Sequence, residues 1–266
     1  MTDYSKPLYN DIAHFAAISG EKPYQTYTAL IDYIAGWLDV TGTPVIGWRY
    51  DKEQNKMFHE MLRKTMTATG TAMYDRECGW YDLFGDIFME HLANKDLRGQ
   101  CFTPDGAANL CARILMDNAT EAATMPCGWF GEKRVANDSA CGSGRMLLAA
   151  AKYMEKQHDE YIYVIGEDID TTCVKQTAIN LALHGIYGEV ICHDTLKDPD
   201  GMRFGYIVNE WIYPDRHGRP SLRYSENPDD FVGTRLWKQM RNATPEPKQR
   251  KQPVQLSLFD YDNESN

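Results

Sequence analysis

Residues 134–157 read RVANDSACGSGRMLLAAAKYMEKQ. Arg134 to Asp138 is a short strand candidate, SACGSG is a tight turn, and the run from Arg145 onward has helical apolar spacing. A glycine-containing turn between strand and helix lets a ligand approach the backbone closely. The spacing is not G-x-G-x-x-G and no Walker lysine follows, which disfavours a nucleoside triphosphate. Asp138 closes the strand, where it can accept hydrogen bonds from a ligand's amine or, equally well, cap the helix.

The units that follow repeat the pattern. YIYVIG (161–166) is a second strand and Asp168 lies just past its end. An acidic residue there, roughly 20–30 residues after a glycine turn, is where dinucleotide-type folds bind ribose hydroxyls. TTCVKQTAINLALHG (171–185) is a helix stopped by Gly185, and EVICH (189–193) is a third strand that runs into Asp194. Each aspartate alone is more often a cap or a solvated loop residue. Three of them, at three successive strand ends on one sheet edge, favour a nucleoside-like ligand. The alternation of strands and helices predicts a parallel α/β sheet.

Residues 1–95 have a different texture. TALIDYIAGWLDV, MFHEMLRKTMTA and DLFGDIFMEHLA carry apolar residues at helical spacing, with Leu83, Phe84, Ile87, Phe88 and Leu92 on one stripe. This predicts a helical N-terminal domain. Residues 234–253 hold six Lys/Arg against one Glu, with three prolines, and read as a basic flexible linker. The chain has 28 basic and 38 acidic residues, a formal charge of -10, which argues against a large basic face but leaves room for a local one. No apolar run is long enough to span a bilayer, and the first residues lack the pattern of a signal peptide. Seven cysteines without a C-x-x-C pair suit reduced thiols and a cytoplasmic setting. No His/Cys/Asp cluster has metal-ligand spacing, so no metal is expected.

GQCFTP (99–104), NDSACGSGRML (137–147), GEDIDTTCVKQTAINLALHG (166–185) and HDTL (193–196), in that order, resemble the motifs of the N6-adenine DNA methylases, and most of all the modification subunits of type I restriction enzymes. DLFGDIFMEHL resembles the helix leading into that family's catalytic domain. The resemblance implies a Rossmann-like S-adenosylmethionine-binding domain over residues 96–233, behind the helices, with DNA as substrate and a specificity or second methylase subunit as partner. It also implies roles for single residues. Phe102 and Thr103 would flank the methionine end of the cofactor, Asp138, Ala140 and Gly142 would form the turn beneath it, Asp168 would take the ribose, Ile169 would lie against the adenine, and Asp194 would meet the adenine's amino group. The bland reading of Thr103-Pro104-Asp105 is a helix start.

In that family the fourth strand ends in Asn-Pro-Pro-aromatic, where a flipped adenine is stacked and its amine is held by two acceptors. Here FGYIVNEWIYP (204–214) has Asn209 followed by Glu210 and Trp211. Either Asn209 is the family's asparagine and Ile212 replaces the ring, or Glu210 stands for the asparagine and Tyr213 supplies the ring. Neither frame restores the motif, and Gly205 stands where relatives have Asp. DRHGRPSLRYSENPDD (215–230) shows no strand period, so the later strands of a full methyltransferase sheet are expected to be missing. QLSLF (255–259) resembles the peptide with which bacterial replication and repair proteins bind the sliding clamp, with Gln255, Leu256, Leu258 and Phe259 as contact residues. The alternative is an edge strand, because VQLSLF alternates. Three functions follow: an adenine-N6 DNA methyltransferase with an altered catalytic motif, an inactive relative recruited to the clamp, or a methylase of RNA or protein. The flanking motifs, which are those of DNA enzymes, disfavour the last.

Overall fold

The computed structural model describes residues 3–42, 50–93, 101–117, 124–126, 131–197, 201–210 and 218–242. Four helices come first: α1 (Ser5–Ser19), α2 (Pro23–Leu38), α3 (Lys52–Asp75) and α4 (Leu83–Ile87), which runs on as a π-helical turn, Phe88–Leu92. Local chemistry sets their starts. Asp51 and Gln54 cap α3 reciprocally, each side chain accepting the other's backbone N–H at 2.8 and 3.0 Å. Asp82 caps α4 by accepting the Gly85 N–H at 2.8 Å.

The α/β part comprises α5 (Asp105–Asp117), β1 (Thr124–Pro126), β2 (Glu132–Asp138), α6 (Arg145–His158), β3 (Tyr163–Asp168), α7 (Thr171–Leu183), β4 (Gly188–Cys192), β5 (Phe204–Val208), β6 (Leu222–Ser225) and α8 (Val232–Asn242). The strands lie in sequence order, β1-β2-β3-β4-β5-β6. β2, β3 and β4 are parallel, with α6 and α7 as crossovers, and form a Rossmann-like half-sheet. One apolar core joins Leu8, Phe15, Leu30 and Phe58 of the first helices to Leu148, Val174 and Val190 beneath the sheet. On the other sheet face Tyr163 and Ile165 meet Val232, and Ile191 and Ile207 meet Phe231.

Three expectations change here. First, the sheet is mixed. β5 runs antiparallel to β4 (Gly188 opposite Val208, Cys192 opposite Phe204), β6 antiparallel to β5 and β1 antiparallel to β2. The β4–β5 connection is residues 193–203. A parallel return takes a crossover of about a dozen or more residues, normally helical, whereas an antiparallel partner needs only a loop. Second, the turn-rich stretch after residue 214 contains a strand. β6 is a four-residue edge segment with only Leu222 fully buried, too short to show a period, and its partner β5 defines it. Third, residues 234–242 belong to helix α8 and not to a linker. Their basic side chains concealed the apolar positions Val232 and Leu236 that face the sheet. Buried Glu189 accepts the Val232 N–H at 2.8 Å and the Gly233 N–H at 2.5 Å, placing an anion at the helix N-terminus.

Gly205 has its own explanation. A Cβ there would come within 2.6 Å of the Phe231 ring, so the side chain is absent where the residue just before α8 packs on the strand.

Candidate cofactor-binding site

At the carboxyl end of β2 the chain turns through Ser139–Gly144 into α6. Asp138 accepts the Ala140 N–H at 3.2 Å within the turn and does not cap α6, whose N-cap position is Gly144 with no side-chain cap. Asp168, ending β3, reaches across to the turn and accepts the Gly142 N–H at 2.9 Å, while its other oxygen accepts the Asp170 N–H at 2.8 Å. Gly142 has φ +55, a conformation that L side chains adopt at a cost, and a Cβ there would meet the Phe102 ring at 3.0 Å. The aromatic wall thus lies directly on the turn. Burial pushes the carboxyls of both Asp138 and Asp168 above the usual range.

Phe102, Thr103, Asp138, Ala140, Gly142 and Asp168 together line a cavity of about 320 Å³. The structure brings these six predicted residues together. It leaves two others off the cavity wall: Ile169 is 58% exposed on the loop after β3, and Asp194 accepts the Leu196 and Lys197 N–H groups at 3.1 and 3.0 Å in a local turn.

Asn209 is placed elsewhere. Because β5 is antiparallel, its end lies beside Gly188, at the sheet edge opposite Asp168. The side chain is fully buried at φ 57. Its amide donates to the carbonyls of Ile186 (2.8 Å), Ala182 (3.2 Å) and Leu181 (3.4 Å), and its oxygen accepts the Ser221 N–H at 3.1 Å. Of the two frames left open by the sequence, the one that sets Asn209 at the cofactor does not fit this structure, where the residue ties the end of α7 to β5 and β6. Glu210 pairs with Arg223 of β6 at 2.7 Å. Tyr213 and the clamp-like residues Gln255, Leu256, Leu258 and Phe259 lie outside the described residues.

Sequence reasoning missed the network behind the cavity. Asp82 is fully buried and accepts from Gly85 N–H, Asn180 Nδ2 (2.8 Å), Ser143 Oγ (2.5 Å) and Arg145 Nε (2.6 Å). Arg145 also donates to Asp86 (2.5 Å) and to the Thr103 carbonyl (3.2 Å), and stands 3.3 Å from Asp105. Burial pushes the Asp86 carboxyl up to about 6, despite the nearby guanidinium. Its partners Ser143 and Asn180 lie 61 and 98 residues away from Asp82, beyond the reach of local sequence signals. Among the described residues no group of three or more His, Cys, Asp or Glu could hold a metal ion, and no helix is long and apolar enough to cross a membrane.

The chain shares sequence with known proteins. The model of the N-6 DNA Methylase family matches residues 80–252. Over 126 residues the chain is 27% identical to the type I restriction enzyme MjaVII methylase subunit of Methanocaldococcus jannaschii, covering 45% of this chain and 20% of that one. Over 137 residues it is 28% identical to the type I restriction enzyme MpnII methylase subunit of Mycoplasma pneumoniae, covering 48% and 22%. The matches thus span about a fifth of each relative's length. A solved type I restriction-modification system methyltransferase subunit from Streptococcus thermophilus is 20% identical, with a TM-score of 0.36 over 66% of this chain and 40% of that one.

Proposed function

We propose that this chain, which belongs to the N-6 DNA methylase family, holds S-adenosylmethionine in the cavity between β2, β3 and Phe102, and serves as the cofactor-binding part of an adenine-N6 DNA methylation system. The observation that carries this reading is the Asp168 carboxylate gripping the Gly142 N–H beside the Phe102 ring. The donor set suits the ligand. Asp138 and Asp168 offer negative charge to a molecule bearing a sulfonium and an ammonium group, and Gly142 lets the backbone come close. Phe102 and Thr103 wall the cavity on the α5 side. When bound, the cofactor supplies an electrophilic methyl group.

The place of Asn209 supports a further part of the reading. An adenine amine needs two acceptors beside the methyl donor, and this asparagine spends its amide on α7 at the opposite edge. The isolated chain therefore transfers methyl groups to DNA very slowly or not at all, and a second methylase or specificity subunit completes the acceptor side. Gln255, Leu256, Leu258 and Phe259 form a peptide that docks on the bacterial sliding clamp and brings the protein to replicating DNA. Leu258 and Phe259 act as its apolar anchors. A reading as an inactive relative recruited to the clamp rests on the same two features.

Calorimetry tests the cofactor. Titration with S-adenosylmethionine and its demethylated product should show binding, and no heat at millimolar ligand would sink the proposal. Labelled methyl transfer to unmethylated bacterial DNA, with the chain alone and with candidate partner subunits, separates the active reading from the inactive one. A fluorescence titration of a peptide of residues 250–266 against purified clamp should give an affinity on the order of micromolar, lost in a Leu258→Ala, Phe259→Ala double variant.

A further inference from the structure

Arg145 follows directly on the glycine turn as the first residue of α6; it lines the cavity, and its guanidinium is bonded to carboxylates of the N-terminal helices. It is 7% exposed and meets three carboxylates from two other elements: Asp82, the cap residue of α4, Asp86 within α4, and Asp105 at the start of α5. It also donates to the carbonyl of Thr103, which lines the cavity. The planar guanidinium suits this task because its donors are fixed in direction, which a lysine ammonium cannot reproduce.

We infer that Arg145 is the positioning residue of the cofactor site: it sets the distance between the Phe102–Thr103 wall and the Gly142 turn, and so couples cofactor affinity to the seating of the N-terminal helices. The inference rests on the cofactor reading proposed above. The wall and the turn meet at van der Waals distance, since a Cβ on Gly142 would stand 3.0 Å from the Phe102 ring. A displacement of a few tenths of an ångström at Thr103 therefore changes the cavity itself. The turn side of the same network has a brace of its own, which meets Arg145 at Asp82. Asn180 of α7 donates to Asp82 and to the Ser143 carbonyl, both at 2.8 Å, without touching the wall. Arg76 holds the outer oxygen of Asp105 at 2.8 Å and keeps the start of α5 in reach of Arg145.

Two variants separate positioning from plain structural support. Arg145→Lys keeps a charge and loses the fork. Its affinity for the demethylated cofactor, measured well below its unfolding temperature, should fall at least about tenfold, in line with the sensitivity of bound geometry to small misplacements. Asn209→Ala, at the opposite sheet edge, should lower the unfolding midpoint but leave the affinity within about twofold, because the Thr103 carbonyl stays held. In the cofactor-free protein, amide hydrogen exchange at Phe102 and Ala108 should accelerate in Arg145→Lys and not in Asn209→Ala. If Arg145→Lys does not fold, Asp105→Asn, at a partly exposed site, should show the same signs more weakly. Wild-type affinity and wild-type exchange in a folded Arg145→Lys protein, or in Asp105→Asn in its place, would overturn the inference. If the wild type takes up no cofactor, the cofactor reading fails, and the exchange data still decide whether Arg145 holds the wall.

Discussion

Replacing Asn209 by alanine distinguishes a helix anchor from a catalytic residue. The Leu181 and Ala182 carbonyls keep other donors, the N–H groups of Ile186 (3.0 Å) and Gly185 (3.1 Å). The groups left bare are therefore the Ile186 carbonyl and the Ser221 N–H, each buried and each costing about 1–3 kcal/mol when unsatisfied. Asn209 also sits at φ 57, where alanine adds about 1 kcal/mol of backbone strain that asparagine partly escapes. Together Asn209→Ala should destabilise the protein by about 3–7 kcal/mol, a large share of the roughly 5–15 kcal/mol that holds a domain. The assay is urea unfolding followed by circular dichroism, comparing midpoints at unchanged slope. Asn209→Gly loses the same bonds without the strain and should fall between the two. Cofactor affinity of the folded fraction should not move, because the residue is at the far sheet edge. A variant with wild-type stability that has lost methyl transfer in the presence of its partner subunit would refute this reasoning and put Asn209 back at the acceptor.

Other expectations follow from single groups. Asp82→Asn, which strips the charge from a buried pair while keeping its shape, should cost about 3–5 kcal/mol in the same unfolding assay. Asp168→Ala should weaken cofactor binding by about 1–3 kcal/mol in calorimetry, since it also releases the Gly142 N–H. His184 is buried, accepts the Tyr81 N–H at 3.0 Å, and burial lowers its pKa to about 4. Unfolded, the imidazole takes a proton below about 6.5, so the unfolded state binds more protons across the window from about 6.5 to 4. Stability should fall by about 3 kcal/mol as pH drops through that window, and urea midpoints in His184→Gln should show a flatter slope there.

What could be read from the sequence was local. The strand–turn–helix around Gly142 was legible because three neighbouring signals coincide: a short apolar run, glycines at the turn and helical spacing from Arg145 onward. The direction of β5 was not, because an apolar run buried almost throughout reads the same whether it pairs parallel or antiparallel; the length of the preceding loop decides. The family motif pointed to a parallel strand bringing Asn209 to the cofactor, and the hairpin takes it away. Helix α8 was hidden because its N-terminal anion, Glu189, comes from a strand 43 residues earlier. Arg145 looked like an ordinary first helical residue, and its partners lie 40 to 63 positions back.

The strand order has a consequence for synthesis. Because neighbours in the sheet are neighbours in the chain, no strand has to slip between two that are already paired. Each segment leaving the ribosome finds its partner edge waiting, and the sheet grows outward in one direction at the pace of translation, about 5–20 residues each second. Once Cys192 has emerged, every cavity-lining residue and both crossover helices have been made. The hairpin of β5 and β6 then closes over the growing edge as a terminal act. The Asn209 amide reaches back to the end of α7, finished some two dozen residues earlier, and latches the last-made strands onto the first half of the fold.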